Sequence, residues 1–109
     1  MVPRAAATSD PFNAIAEPAR RQILEYLRAD ERAVGDIAAA LRLAQPSVSK
    51  HLHVLRSVGL VRPRRDGKRV LYRADAHPLK TIHDWTSMFQ RHWSGQLNRI
   101  KQHAERKEE

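Results

Sequence analysis

The chain has 109 residues, the size of one domain with a modest core, which leaves room for a stabilising partner subunit. It has no cysteine, so disulfides, thiolate metal sites and cysteine nucleophiles are excluded. The formal net charge is +8, and eight bases against one acid lie within residues 50–73, which marks a local surface for a polyanion, nucleic acid before anionic membrane. No apolar run approaches the roughly 18 residues of a membrane span, and Met1, Val2, Pro3 and Arg4 do not open a secretory signal. A cytoplasmic protein is expected, with no membrane partner.

Residues 1–9 read as a flexible tail. Ser9 or Asp10 suits a helix cap with Pro11 at the first position, and Phe12, Ile15 and Ala16 give that short helix an apolar side. Glu17-Pro18 ends it and opens a second helix over residues 18–28, with Ala19, Ile23, Leu24 and Leu27 inward. A polar loop follows. A third helix spans Val34 to Leu41 with Ile37, Ala38 and Leu41 inward, and Arg42-Leu43-Ala44 is a tight connection to the next.

That fourth helix, Gln45 to Ser57, carries the clearest pattern. Val48, Leu52 and Leu55 recur at i, i+4 and i+7, the spacing of one buried face. Pro46, Ser47, Lys50, His53, Val54 and Ser57 fall opposite, and no acid occurs from Gln45 to Arg65. Pro46 fits the first turn, and Gly59 fits the left-handed residue of a helix end. Two short helices joined by a few residues, the second with a polar outer face, form a helix-turn-helix whose second helix fits the major groove of DNA.

After Gly59 the period changes. Two β-prone runs, residues 60–65 and 68–73, flank Asp66-Gly67, a strong hairpin signal, with Pro63 requiring an edge strand. Arg64, Arg65, Lys68 and Arg69 crowd the tip. They repel one another, so an anion lying against the tip is expected. A basic hairpin after a helix-turn-helix is a wing that lies along the DNA backbone or reaches the minor groove.

The last element reads as one long helix over residues 77–104, about 40 Å at 1.5 Å per residue. A domain of this size has a radius of gyration near 13 Å, so this helix overruns it. Ile82, Trp85, Phe89, Trp93, Leu97 and Ile100 follow the 3–4 spacing, and the same helix of a second copy is the economical cover for them. Phe12 and Ile15 are expected to join that homodimer interface. Residues 105–109 read as a charged tail, leaving 10–104 as the domain.

Glu17-Pro18-Ala19-Arg20-Arg21-Gln22-Ile23-Leu24, the run from Gln45 to Leu55, Gly59-Leu60-Val61 and the Asp66-Gly67-Lys68-Arg69 wing together resemble the ArsR/SmtB-type bacterial transcriptional repressors, closest to the metal-independent, SdpR-like branch. The resemblance covers about residues 10–104. It implies a mainly α winged helix-turn-helix with a small β-hairpin, in the order α-α-α-α-β-β-α, forming a homodimer through its terminal helices. Its recognition-helix positions fall on Gln45, Ser47, Ser49, Lys50 and His51; the helical wheel puts Ser47 and Lys50 outward with Ser49 and His51 on the flanks, and adds His53.

Many members of that family sense metals. The stretch matching one sensor type, residues 34–38, has no cysteine, and His83, Asp84, His92 and His103 on the last helix lack the three- or four-residue His–His spacing of a shared site. No metal and no cofactor are expected. No glycine-rich phosphate loop, nucleophile elbow or paired carboxylate supports an enzyme. The sequence therefore points to a regulator that binds an inverted-repeat operator in double-stranded DNA as a dimer, a nucleoid-associated repressor expected to act at its own promoter, with no legible effector pocket. A non-specific architectural nucleic-acid binder and a protein-interaction module using the aromatic last helix are the alternatives.

Overall fold

The computed structural model describes residues 10–108, with side chains up to Glu105. The tail assigned to residues 1–9, and Ser9 as an alternative cap, lie outside the described residues. Asp10 caps the first helix, α1 (Pro11–Ala14): its carboxylate accepts from the Phe12 N–H at 2.9 Å, and Pro11 occupies the first turn, where no N–H is needed. Pro18 does the same for α2 (Pro18–Tyr26). Next come a two-residue strand β1 (Arg32–Ala33), α3 (Val34–Leu41) and α4 (Gln45–Ser57). The wing is β2 (Val61–Asp66) and β3 (Arg69–Ala74), followed by α5 (Leu79–Ser87) and α6 (Gln90–Glu108).

The core is a single cluster drawn from the first four helices and the start of β2. Ala14, Ile23, Leu27, Ile37, Ala38, Val48, Leu52, Leu55, Leu60 and Val61 are buried, and among the described residues no polar or charged side chain is buried with them. Val48, Leu52 and Leu55 are the i, i+4, i+7 stripe of α4. That helix ends as its sequence requires. Gly59 takes φ +80°, the Leu60 N–H reaches back to the Leu55 carbonyl at 2.9 Å, and the Gly59 N–H to that of Arg56 at 3.0 Å. The turn between α3 and α4 uses a left-handed residue as well, Arg42 at φ 56°, whose successor Leu43 donates to the Ala38 carbonyl.

The mainly helical fold with a small antiparallel sheet agrees with the sequence, and three details differ. First, the sheet has three strands, ordered β1-β3-β2, because Arg32 and Ala33 pair with Tyr72 and Leu71. β2 stays at the edge, where Pro63 has no ladder hydrogen bond to lose. Second, the hairpin turn is centred on Gly67-Lys68, one residue later than Asp66-Gly67. Asp66 pairs with Arg69, and only Gly67 has positive φ (63°), the pattern of a turn with glycine at its first central position.

Third, the last helix is broken. The Thr86 and Ser87 hydroxyls both donate to the His83 carbonyl, and the Met88 and Phe89 N–H groups bond to Trp85 and Thr86, three residues back instead of four. Such hydroxyl back-bonding bends a helix, and the regular ladder resumes only at Gln90. Gly95 lies inside α6 and breaks nothing. The overrun remains: the radius of gyration is 18.2 Å and the longest extent 60 Å, against about 13 Å for a compact domain of this length.

Candidate nucleic-acid interface

α4 presents Gln45, Ser49, Lys50, His53 and Arg56 to solvent, with Ser47 half-buried between them. No carboxylate lies on this helix, so the face offers only neutral hydrogen-bonding groups and cations. Val54 sits at the edge of the core, whereas Ser57 is exposed, with its hydroxyl donating to the Val54 carbonyl at 2.6 Å. His51 differs from its neighbours. Its side chain is 16% exposed, and its Nδ1 lies 3.7 Å from Glu17 Oε2 at the start of α2. The position implied by the family resemblance as a DNA contact is turned toward another helix.

In the wing, successive residues alternate between the core and solvent. Val61 is buried and Pro63 half-buried, while Arg62 and Arg64 face out opposite Arg73 and Leu71. Three of these arginines already have partners. Arg64 makes a two-pronged pair with Glu31, Nε to Oε2 at 2.9 Å and Nη2 to Oε1 at 3.0 Å; Arg69 reaches Asp36 at 2.9 Å; Arg62 reaches Asp75 at 2.6 Å. The Arg64 hydrogen bonds hold the Glu31 carboxyl below the usual carboxylate range and raise Arg64 itself. Asp75 is lowered first by the His77 N–H and then by Arg62. Of the four cations expected to need an external anion, Arg64 and Arg69 are thus answered within the chain. Among the described residues Arg65 and Lys68 have no carboxylate at ion-pair distance, and both are exposed at the tip.

The apolar stripe runs the length of the last two helices. Trp85, Met88, Phe89, Trp93, Leu97 and Ile100 are between 44% and 72% exposed. Ile82, Phe12 and Ile15 are half-buried at its inner end, where Phe12 meets Trp85 edge-on at 5.8 Å and Trp85 meets Phe89 at 5.3 Å. Met88 is the most exposed of the large apolar side chains and belongs to this stripe, three residues from Trp85, although the 3–4 spacing can be satisfied without it.

Residues 17–62 match the model of the family described as "Bacterial regulatory protein, arsR family". The chain is 32% identical over 78 residues to the transcriptional repressor SdpR of Bacillus subtilis, covering 72% of this chain and 87% of that one. It is 40% identical over 76 residues to the HTH-type transcriptional repressor SmtB of Mycobacterium tuberculosis, covering 70% of this chain and 56% of that one. The chain therefore spans little more than half the length of that relative. The solution structure of a homodimeric winged helix-turn-helix DNA-binding domain from Mycobacterium bovis, a possible ArsR-family regulator, superposes with a TM-score of 0.61 at 33% identity, over 78% of this chain and 77% of that one.

The chain belongs to the ArsR family. The family is one of transcriptional regulators and not of enzymes. Within this ArsR-family chain, sequence reasoning missed the acids that hold the wing: Glu31 and Asp36 each lie 33 residues from the arginine they bind, and no local pattern joins them. Among the described residues no three His, Asp or Glu side chains come together as a metal ion would require.

Proposed function

We propose that the chain is a transcriptional repressor that binds an inverted-repeat operator as a homodimer, working in the cytoplasm on the chromosome and, in the simplest case, at its own promoter. The observation that carries this reading is the acid-free outer face of α4 beside a hairpin tip whose Arg65 and Lys68 have no carboxylate partner among the described residues. α4 lies in a major groove, where Gln45, Ser47, Ser49, Lys50 and His53 reach base edges and phosphates. The wing tip rests on the flanking backbone. Two copies pair through the Trp85–Ile100 stripe together with Phe12 and Ile15, as supported by the homodimeric relative. Half-sites are then about one helical turn, ~10 bp, apart.

The test is the salt dependence of binding to duplex DNA. About 6–10 phosphate contacts per dimer lose ~10³–10⁵ in affinity between about 50 and 200 mM salt. A nearly flat titration removes DNA as the partner.

A further inference from the structure

We propose that His51 is a positioning residue of α4, tied through Glu17 and Arg20 to α1, and not a DNA contact; this rests on the reading of α4 as the recognition helix. Glu17 occupies the N-cap of α2, where a short Ser, Thr, Asp or Asn side chain usually accepts from the first turn. Its carboxylate makes no such bond. Instead Oε2 accepts from Arg20 Nη1 at 2.7 Å and lies 3.7 Å from His51 Nδ1.

Arg20 completes the tie. Its side chain is only 13% exposed, and its planar fork also donates to the Ala14 carbonyl through Nε at 2.5 Å and to the Asn13 carbonyl through Nη2 at 3.1 Å. These are the last carbonyls of α1, the helix whose Phe12 meets Trp85 in the apolar stripe. A set of polar contacts therefore runs from the end of α1 to α4, and α1 meets the stripe through the aromatic Phe12–Trp85 contact. Among the described residues, His51 to Glu17 is the sole side-chain polar link from α4 to another helix. Apolar packing through Val48, Leu52 and Leu55 buries one face of α4, and the 3.7 Å charge contact of His51 with Glu17 adds a polar constraint at the side of the helix. When His51 is protonated, the tie becomes an ion pair in a half-buried setting.

The experiment uses the duplex that the native chain selects from random DNA, with a scrambled duplex as reference. His51→Ala and Glu17→Gln each lower the preference for the selected duplex by roughly threefold to tenfold, and the double variant is no worse than either, because they break one link. The slope of log affinity against log salt stays unchanged. His51→Lys, which keeps a cation for Glu17, restores the preference in the native background and not in Glu17→Gln. A fall of about one in the salt slope of His51→Ala makes it a phosphate contact and overturns the proposal. Additive single effects, or rescue by Lys in both backgrounds, overturn it as well. Should Glu17→Gln fail to fold, the salt slope of His51→Ala decides alone. A native chain that selects no sequence overturns both this inference and the repressor reading; one that selects normally while the His51 results fail overturns this inference only.

Discussion

At the scale of single residues, cations on the same hairpin do different work according to what they already touch. Arg64 and Arg69 are committed to Glu31 and Asp36 and orient the wing against β1 and α3. Arg65 and Lys68 are exposed at the tip with no carboxylate at ion-pair distance among the described residues. The salt slope separates the two roles, since each phosphate contact contributes a slope near 0.9. Arg65→Ala and Lys68→Ala are each expected to lower the slope by about one. Arg64→Ala and Arg69→Ala should leave it nearly unchanged while loosening the wing, visible as faster amide exchange in β2 and β3. Equal loss of slope in all four would return the anion-binding role to the whole tip. The sequence put all four cations on one hairpin, yet could not sort them, because the deciding acids lie 33 residues away in the chain.

At the scale of elements, the hairpin is held partly by carboxylates that are easier to ionise folded than unfolded. Glu31 and Asp75 are both lowered, so their contribution is complete above the ordinary carboxylate range and fades as pH falls through their depressed folded values. Acid titration of stability should therefore show a loss beginning below about pH 5. Glu31→Gln should make that loss shallower; an unchanged acid profile would show that the Glu31–Arg64 pair contributes nothing measurable, as is common for exposed pairs. The elements themselves were legible where their causes are local. α4 was readable from Pro46, the Val48–Leu52–Leu55 stripe and Gly59, all within fifteen residues. The two-residue β1 was not, since it exists only through pairing with Tyr72 and Leu71. The break after Ser87 was hidden for another reason: it has neither Pro nor Gly, and two hydroxyls on one carbonyl produce it.

At the scale of the whole molecule, an apolar stripe this exposed needs a second surface. Scattered apolar residues are normal on a protein, but two tryptophans, Phe89, Met88, Leu97 and Ile100 in line along α5 and α6 form a contiguous patch. Trp93 stands midway, away from the Phe12–Trp85 contact that the monomer already makes. Trp93→Ala should therefore weaken self-association by about tenfold or more while leaving the fold intact, since buried aromatic anchors dominate such interfaces. Sedimentation over a concentration series checks this; an unaltered dimer, or a native chain that is monomeric at every concentration, would move the stripe to a different partner.

The pairing of two α4 helices on one duplex is the claim on which the other roles depend, and selection of bound sequences from random DNA measures it directly. The expected result is an inverted repeat whose half-sites are centred about one helical turn, ~10 bp, apart. Enrichment of a single unpaired half-site, or of no sequence at all, would contradict it.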